Sequence, residues 1–263
     1  IGLMYMMTGT LNMADLASRL QGVNHTRTIQ VAFAFLSVGL TLKLALFPLH
    51  IWLPNAYTYA PSVVTAFVAA TATKVSVYVF LRFVFTIFGA DFAFGTMHID
   101  YLLLPLAIAG IFVASAVAIY QSNLKKLLAY SSVAQIGYIM LGISFGSITG
   151  LTAGIVHLFN HALMKGALFL AVGSIFLRVN SVQLDDLSGL GKRMPVTSFA
   201  LVLGGLGLIG VPLTVGFISK WYLLLAAIEA GWWPVAVLVL ISSLLALVYI
   251  WRFVETAYFR PVP

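Results

Sequence analysis

Of 263 residues, 62% are hydrophobic and only 8% charged, with a mean hydropathy of +1.06; a soluble domain carries roughly 25% charged residues. The absence of cysteine removes disulfides, iron–sulfur ligands and thiolate metal sites. The net charge of +7 does not mark a nucleic-acid binder, because the Lys and Arg sit at the ends of apolar runs or inside them.

These features predict an all-α polytopic protein of the lipid bilayer. In chain order, "IGLMYMMTG" reads as the tail of a span already under way. Ile1 is not an initiator methionine and no signal peptide is visible, so the chain is expected to be a fragment or one product of a split gene. Seven spans follow, at 28–48, 62–87, 101–120, 124–146, 149–177, 196–228 and 232–254. The fifth and sixth exceed the ~20 residues needed to cross, so each is expected to be tilted, kinked or broken.

The first span holds "LKLALFPLHIWLP", where Pro48 frees the carbonyl of Leu44 and breaks the helix beyond Lys43. The second carries Lys74. The fifth contains "GIVHLFNHALMKGALFL", with His157, His161 and Lys165 at steps of four. Four residues turn a helix by ~400°, so the three side chains form one slowly drifting stripe. The longest connection, 178–195, follows. In the sixth span, "GGLGLIGVPLTVGFISKW" sets glycines and Pro212 ahead of Lys220, which predicts a second broken helix. Broken backbone within a membrane is tolerated where it lines protein or a water cavity, and paired breaks mark inverted repeats.

If connections alternate sides, Arg19, Arg27 and Arg82 face one way. Lys125, Lys126, Arg178, Lys192, Arg193, Arg252 and Arg260 face the other. Three against seven places the second group, and the C-terminus, inside a bacterial cytoplasmic (inner) membrane.

Lys43, Lys74, His157, His161, Lys165 and Lys220 all fall within apolar segments. A lysine at a helix centre costs about 2.5–3.5 kcal/mol on insertion scales, so four of them facing lipid is untenable. Snorkelling or a single packing hydrogen bond would account for one lysine, not four. A row of His and Lys separated by small polar groups suits a proton relay. Ser131, Ser132, Gln135, Tyr138, Asn160, Thr71 and Thr73 are candidate intermediates, though each alone is an ordinary helix-contact residue. A metal at His157 and His161 is not expected, since no third ligand lies at useful spacing and no HExxH occurs. Haem would want an axial His on each of two helices. No glycine-rich nucleotide motif or Ser-His-Asp arrangement is present, so no cofactor is expected and no catalysis by this chain alone.

The blocks "LKLALFPLHIWLPNAYTYAPSVVTAFVAATATKVSVYVFLRF", "QSNLKKLLAYSSVAQIGYIMLG", "HLFNHALMKGALFL" and "GFISKWYLL" resemble the antiporter-like subunit family. That family includes the proton-pumping membrane subunits of respiratory complex I and the large subunits of Mrp-type cation/proton antiporters. "TKVSVYVFLRF" and "HLFNHALMK" look most like the D-type large subunit of the Mrp antiporters. The resemblance implies an inverted-repeat antiporter-like fold with two discontinuous helices. It makes Lys43 the lysine of the first broken helix and Lys74 the bridging lysine. It makes His157, His161 and Lys165 the centre of the second half-channel, and Lys220 the terminal lysine. Full-length members have about fourteen spans in two five-helix repeats. On that pattern 1–96 is the end of a first half-repeat, 97–256 a second half-channel and 257–263 a tail. The glutamate that pairs with Lys43 would lie in helices absent from this sequence.

The function implied is proton translocation, with Na⁺ left open, by one membrane subunit of a hetero-oligomeric complex. Protonation of Lys74, the stripe and Lys220 would shift in sequence, coupled by charge repulsion. The rivals are a structural scaffold without flux and a cofactor-free subunit of a quinone-reducing machine. Other membrane subunits, the bilayer and H⁺ are the expected partners, and nucleic acid is not.

Overall fold

In hydrocarbon a helix satisfies its own backbone N–H and C=O groups, and helices carry this chain throughout. The computed structural model describes residues 1–261. Two short helices open it: α1 (Gly2–Thr8) and the amphipathic α2 (Met13–Leu20). Asn12 caps α2 by accepting from the N–H groups of Ala14 and Asp15. Then come α3 (Arg27–Leu44), α4 (Trp52–Tyr59), α5 (Ser62–Leu81) and α6 (Ile99–Ile119). They are followed by α7 (Leu124–Ser144), α8 (Ile148–Val179), the single turn α9 (Leu190–Arg193), α10 (Pro195–Ile209), α11 (Val215–Glu229) and α12 (Trp233–Val254). Among the described residues six helices are long and apolar enough to cross a membrane. The remaining expected span, the sixth at 196–228, is the pair α10 and α11. The chain is an integral membrane protein of the expected fold class.

The two breaks differ in position and in capping. α3 closes on Ala45, whose φ of 62° is left-handed, three residues before Pro48. Proline disfavours helix at the residue before it, so the chain turns early. Two of the carbonyls at the end of α3 are met locally. Ala45 and Leu46 donate N–H to Leu42 and Thr41, and the Trp52 indole donates to Leu42 O at 2.9 Å. α10 closes on Gly210, at φ +84°, and leaves the carbonyls of Leu208 and Ile209 for another partner. Between these breaks α8 runs unbroken for 32 residues, about 48 Å at 1.5 Å per residue. That exceeds a ~30 Å hydrocarbon core, so α8 tilts or projects beyond it.

The buried α7 and the long α8 form the centre. They cross where Gly142 meets Gly150 and Gly154; a Cβ on Gly142 would come within 2.7 Å of the Gly150 carbonyl oxygen. Such small faces let helix backbones approach in lipid, where no hydrophobic force drives helices together. α6 packs on α7, while α5, α10 and α11 pack on α8.

The basic residues expected on one side do gather at one end. Leu124 N donates to Val182 O and Leu184 N to Ser122 O, both at 2.8 Å. The Arg252 guanidinium donates to Ile119 O and Gln121 O, and Arg260 pairs with Asp185 at 3.0 Å. Lys125 Nζ donates to Ala60 O at 3.1 Å, bringing the α4–α5 corner to the same end. The expected loop 178–195 is partly wound, through a turn at Leu184–Leu187 and α9. Wide helical turns also occupy Arg82–Ile87, Asp91–Thr96 and Glu255–Phe259. The last span therefore extends past 254 to Phe259. Residues 262–263 of the expected tail lie outside the described residues.

Candidate functional site

Five of the six basic groups singled out in the sequence are buried together. α5 supplies Lys74, α8 supplies His157, His161 and Lys165, and α11 supplies Lys220. Exposure is 0% for His157, His161 and Lys165, 7% for Lys74 and 5% for Lys220. Lys43 is the exception. It lies in the last turn of α3 on an exposed face, outside the buried row. Within this chain Lys43 does not turn inward with the other lysines. It precedes its helix break, on a helix that buries little of itself.

Neutral oxygens surround each buried lysine. Lys74 Nζ donates to Ala69 O at 2.5 Å, within its own helix. Lys165 Nζ crosses to α7, reaching Leu128 O at 2.8 Å and Ser131 Oγ at 2.5 Å. Lys220 Nζ reaches Ile209 O at 2.8 Å, Leu208 O at 3.2 Å and Ser243 Oγ of α12 at 2.9 Å. Those two carbonyls are the ones α10 leaves free at its break, so the helix end and the lysine complete each other. The ammonium also lies 4.5 Å from the Tyr138 ring centroid. Gly210 is needed twice here, because its backbone is left-handed and an added Cβ would sit 2.8 Å from Lys220 Cδ.

The described ion pairs, Asp15–Arg19, Asp185–Arg260 and Glu255–Arg260, are all at the surface. The buried lysines can therefore hold or release a proton without breaking a charge pair.

His157 sits between Gln135 of α7 and Ser219 of α11. Its Nε2 is 2.8 Å from Gln135 Oε1 and its Nδ1 2.8 Å from Ser219 Oγ. Gln135 Nε2 donates to Leu208 O at 3.4 Å, which turns Oε1 to the histidine and makes Nε2 the N–H donor. Nδ1 then accepts from the Ser219 hydroxyl when the ring is neutral. When the ring is cationic, Nδ1 donates to Ser219, whose hydroxyl turns to Gly216 O at 3.1 Å. Both charge states have full sets of partners. The ring of His161 stacks 6.3 Å away, tilted by 17°, with both nitrogens buried and without a hydrogen-bond partner.

A family profile described as NADH:quinone oxidoreductase/Mrp antiporter, transmembrane, matches residues 1–246. The chain belongs to that family. Within this NADH:quinone oxidoreductase/Mrp antiporter family, similarity reaches both branches. NADH-quinone oxidoreductase subunit N of Desulforudis audaxviator (strain MP104C) is 43% identical over 263 residues, covering 100% of this chain and 52% of the relative. The D subunit of the Na(+)/H(+) antiporter of Bacillus subtilis (strain 168) is 31% identical over 252 residues, 96% of this chain and 50% of the relative. A chain in the structure of the Mrp complex from Dietzia sp. DQ12-45-1b superposes with a TM-score of 0.90 at 32% identity, over 100% of this chain and 47% of that one. The chain thus spans about half the length of these relatives. Both branches that the sequence blocks resemble are represented, with identity higher to the oxidoreductase relative than to the antiporter one.

In this family member some expected intermediates join the row and others do not. Ser131 and Gln135 contact it directly, and Tyr138 bonds Ser242 at 2.7 Å beside Lys220. Asn160 donates to Val215 O at 2.7 Å, clamping α8 to the start of α11. Ser132 and Thr71 bond only carbonyls of their own helices. Sequence reasoning missed Ser219, Ser242 and Ser243. Ser219 adjoins Lys220, and the Ser242–Ser243 pair interrupts an otherwise apolar span, so both left a signal. The backbone carbonyls of Leu128, Leu208 and Ile209 left none.

Proposed function

We propose that this chain forms part of a proton-translocating membrane subunit, and that protons move along Lys74, Lys165, His161, His157 and Lys220. One observation carries the proposal: an internal row of buried basic nitrogens, all but those of His161 held by neutral oxygens, with no carboxylate among their hydrogen-bond partners. Ser219 and Gln135 let His157 exchange a proton at Nδ1 while staying hydrogen-bonded. Nitrogen bases suit H⁺, whereas hard metal cations favour oxygen ligands, so H⁺ rather than Na⁺ is assigned to the row. Segment 97–256 would form one half-channel and 1–96 the end of another. The names of the relatives, a subunit of an NADH-quinone oxidoreductase and one of a Na(+)/H(+) antiporter, support a place among other membrane subunits. The site is proposed to work in a bacterial inner membrane, with the basic end and the C-terminus inside.

The test is Lys165→Ala in the purified assembly, reconstituted in sealed liposomes with a pH-sensitive dye. Proton flux is expected to vanish while the subunits still co-purify. Wild-type flux would make Lys165 a structural residue and overturn the relay.

A further inference from the structure

Beside the α4–α5 corner lies a groove of about 680 Å³ that the proton row does not use. Its mouth is Lys125, in the first turn of α7, and its trough runs along α8 from Leu177 to Leu170. We infer that this groove binds an anionic phospholipid of the basic-side leaflet, phosphate at Lys125 and acyl chain in the trough.

Lys125 is only 7% exposed, yet its ammonium has one hydrogen-bond acceptor, Ala60 O at 3.1 Å. An ammonium has three N–H groups, so two are free for a phosphate oxygen. The Phe176 ring stands 5.7 Å from Nζ and closes one side. Ser62 lines the groove as well, with its Oγ buried and without a partner behind the wall. The charges at this end favour an anion. Lys126 and Arg178 flank the groove in sequence. Of the acids at this end, Asp185 is paired with Arg260 and Asp186 accepts from Ser181. The seven helical steps from Leu177 to Leu170 span ~10 Å, with Leu177 87% and Leu170 58% exposed. A cationic mouth in line with an apolar trough, at the membrane–water boundary, has the layout of headgroup and acyl chain. A partner's carboxylate would match Lys125 alone and leave the trough unfilled. Because α5 meets α8 at the floor, with Ser62 against Gly173, a lipid seated here would brace the first part of the chain against the second.

The full chain in detergent micelles is tested by native mass spectrometry and thermal unfolding, with added phosphatidylglycerol or phosphatidylcholine. Wild type is expected to retain phosphatidylglycerol at least fivefold over phosphatidylcholine and to unfold at a higher temperature with it. Lys125→Gln is expected to lose that preference. Ser174→Trp, which blocks the trough and leaves Lys125 in place, is expected to cut retention about fivefold, and it decides the matter should Lys125→Gln not fold. Equal retention of phosphatidylglycerol by wild type and the variants would overturn the inference. Equal stabilisation by inorganic phosphate alone would overturn it too, marking a free-anion site. So would photocrosslinking from position 177 in native membranes that captures a polypeptide and no lipid.

Discussion

At the residue scale, the hydrogen bonds around His157 separate a relay from mere packing. Gln135 Oε1 holds Nε2–H in both charge states of the ring, and that bond strengthens when the ring is cationic. Gln135→Leu removes it and leaves a buried N–H unmet. Proton flux in the reconstituted assembly is expected to fall at least ~10-fold, less than the roughly 10²–10⁴-fold that a proton donor or acceptor itself contributes, because Gln135 only positions the ring. The pH profile of flux is expected to move as well. Thr71→Ala is the control, because that hydroxyl bonds only Phe67 O of its own helix, a carbonyl the row does not use; its profile should match wild type. An unmoved profile in Gln135→Leu would mean that His157 does not exchange protons during turnover.

At the scale of elements, the two helix breaks have opposite chemistry. α3 has its Thr41 and Leu42 carbonyls met by its own next residues and Trp52, and among the described residues no buried lysine turns onto its end. α10 leaves two carbonyls to Lys220, so its stability depends on a side chain from α11. Gly210 permits this turn. Gly210→Ala forces a left-handed alanine, costing about 1–2 kcal/mol, and adds a methyl against the Lys220 stem. Unfolding in mixed micelles titrated with a denaturing detergent is expected to show a loss of at least that size. Gly2→Ala is the comparison: its Cβ meets nothing within 4 Å, and its stability should stay near wild type. Gly216 is constrained differently, since an added Cβ would clash directly with the Gly207 carbonyl oxygen. The half-helices therefore approach closely only through glycine.

For the whole molecule, two outcomes follow from charge placement. The connections around Ser122, Ser188 and Arg260 share one end, and Thr96 lies in the connection between α5 and α6. The chain has no cysteine, so single substitutions report cleanly. Thr96→Cys is expected to react with an impermeant thiol reagent on intact cells, and Ser122→Cys only after permeabilisation. The reverse pattern would invert the proposed orientation. Lys43 gives the second outcome. It is exposed on α3, and no carboxylate pairs with it among the described residues. In a bilayer an exposed cation with no carboxylate beside it draws in water or neutralises. These 263 residues reconstituted alone are therefore expected to carry no coupled current, while an assembly that covers Lys43 with an acidic partner does. Lys43-dependent Na⁺/H⁺ exchange by the chain alone, seen under imposed proton and Na⁺ gradients, would contradict this.

The sequence by itself determined the membrane class, the order of the spans and the places where helices break. Hydropathy, 3.6-residue periodicity and the backbone rules for Gly and Pro all act within about twenty residues. It also determined that His157, His161 and Lys165 share a face, since that needs only one helix. Which lysines meet the stripe was decided by tertiary structure. Lys43 and Lys220 look alike in sequence, each an apolar-span lysine beside a break. Lys220 follows its break and folds back onto the open carbonyls of α10. Lys43 precedes its break and points away from it, on a helix little buried within this chain. The partners of His157 lie 22 and 62 residues away along the chain. They meet because glycine faces allow α7 and α8, α10 and α8, and α10 and α11 to pack closely, and no local pattern encodes the resulting rotation of the helices.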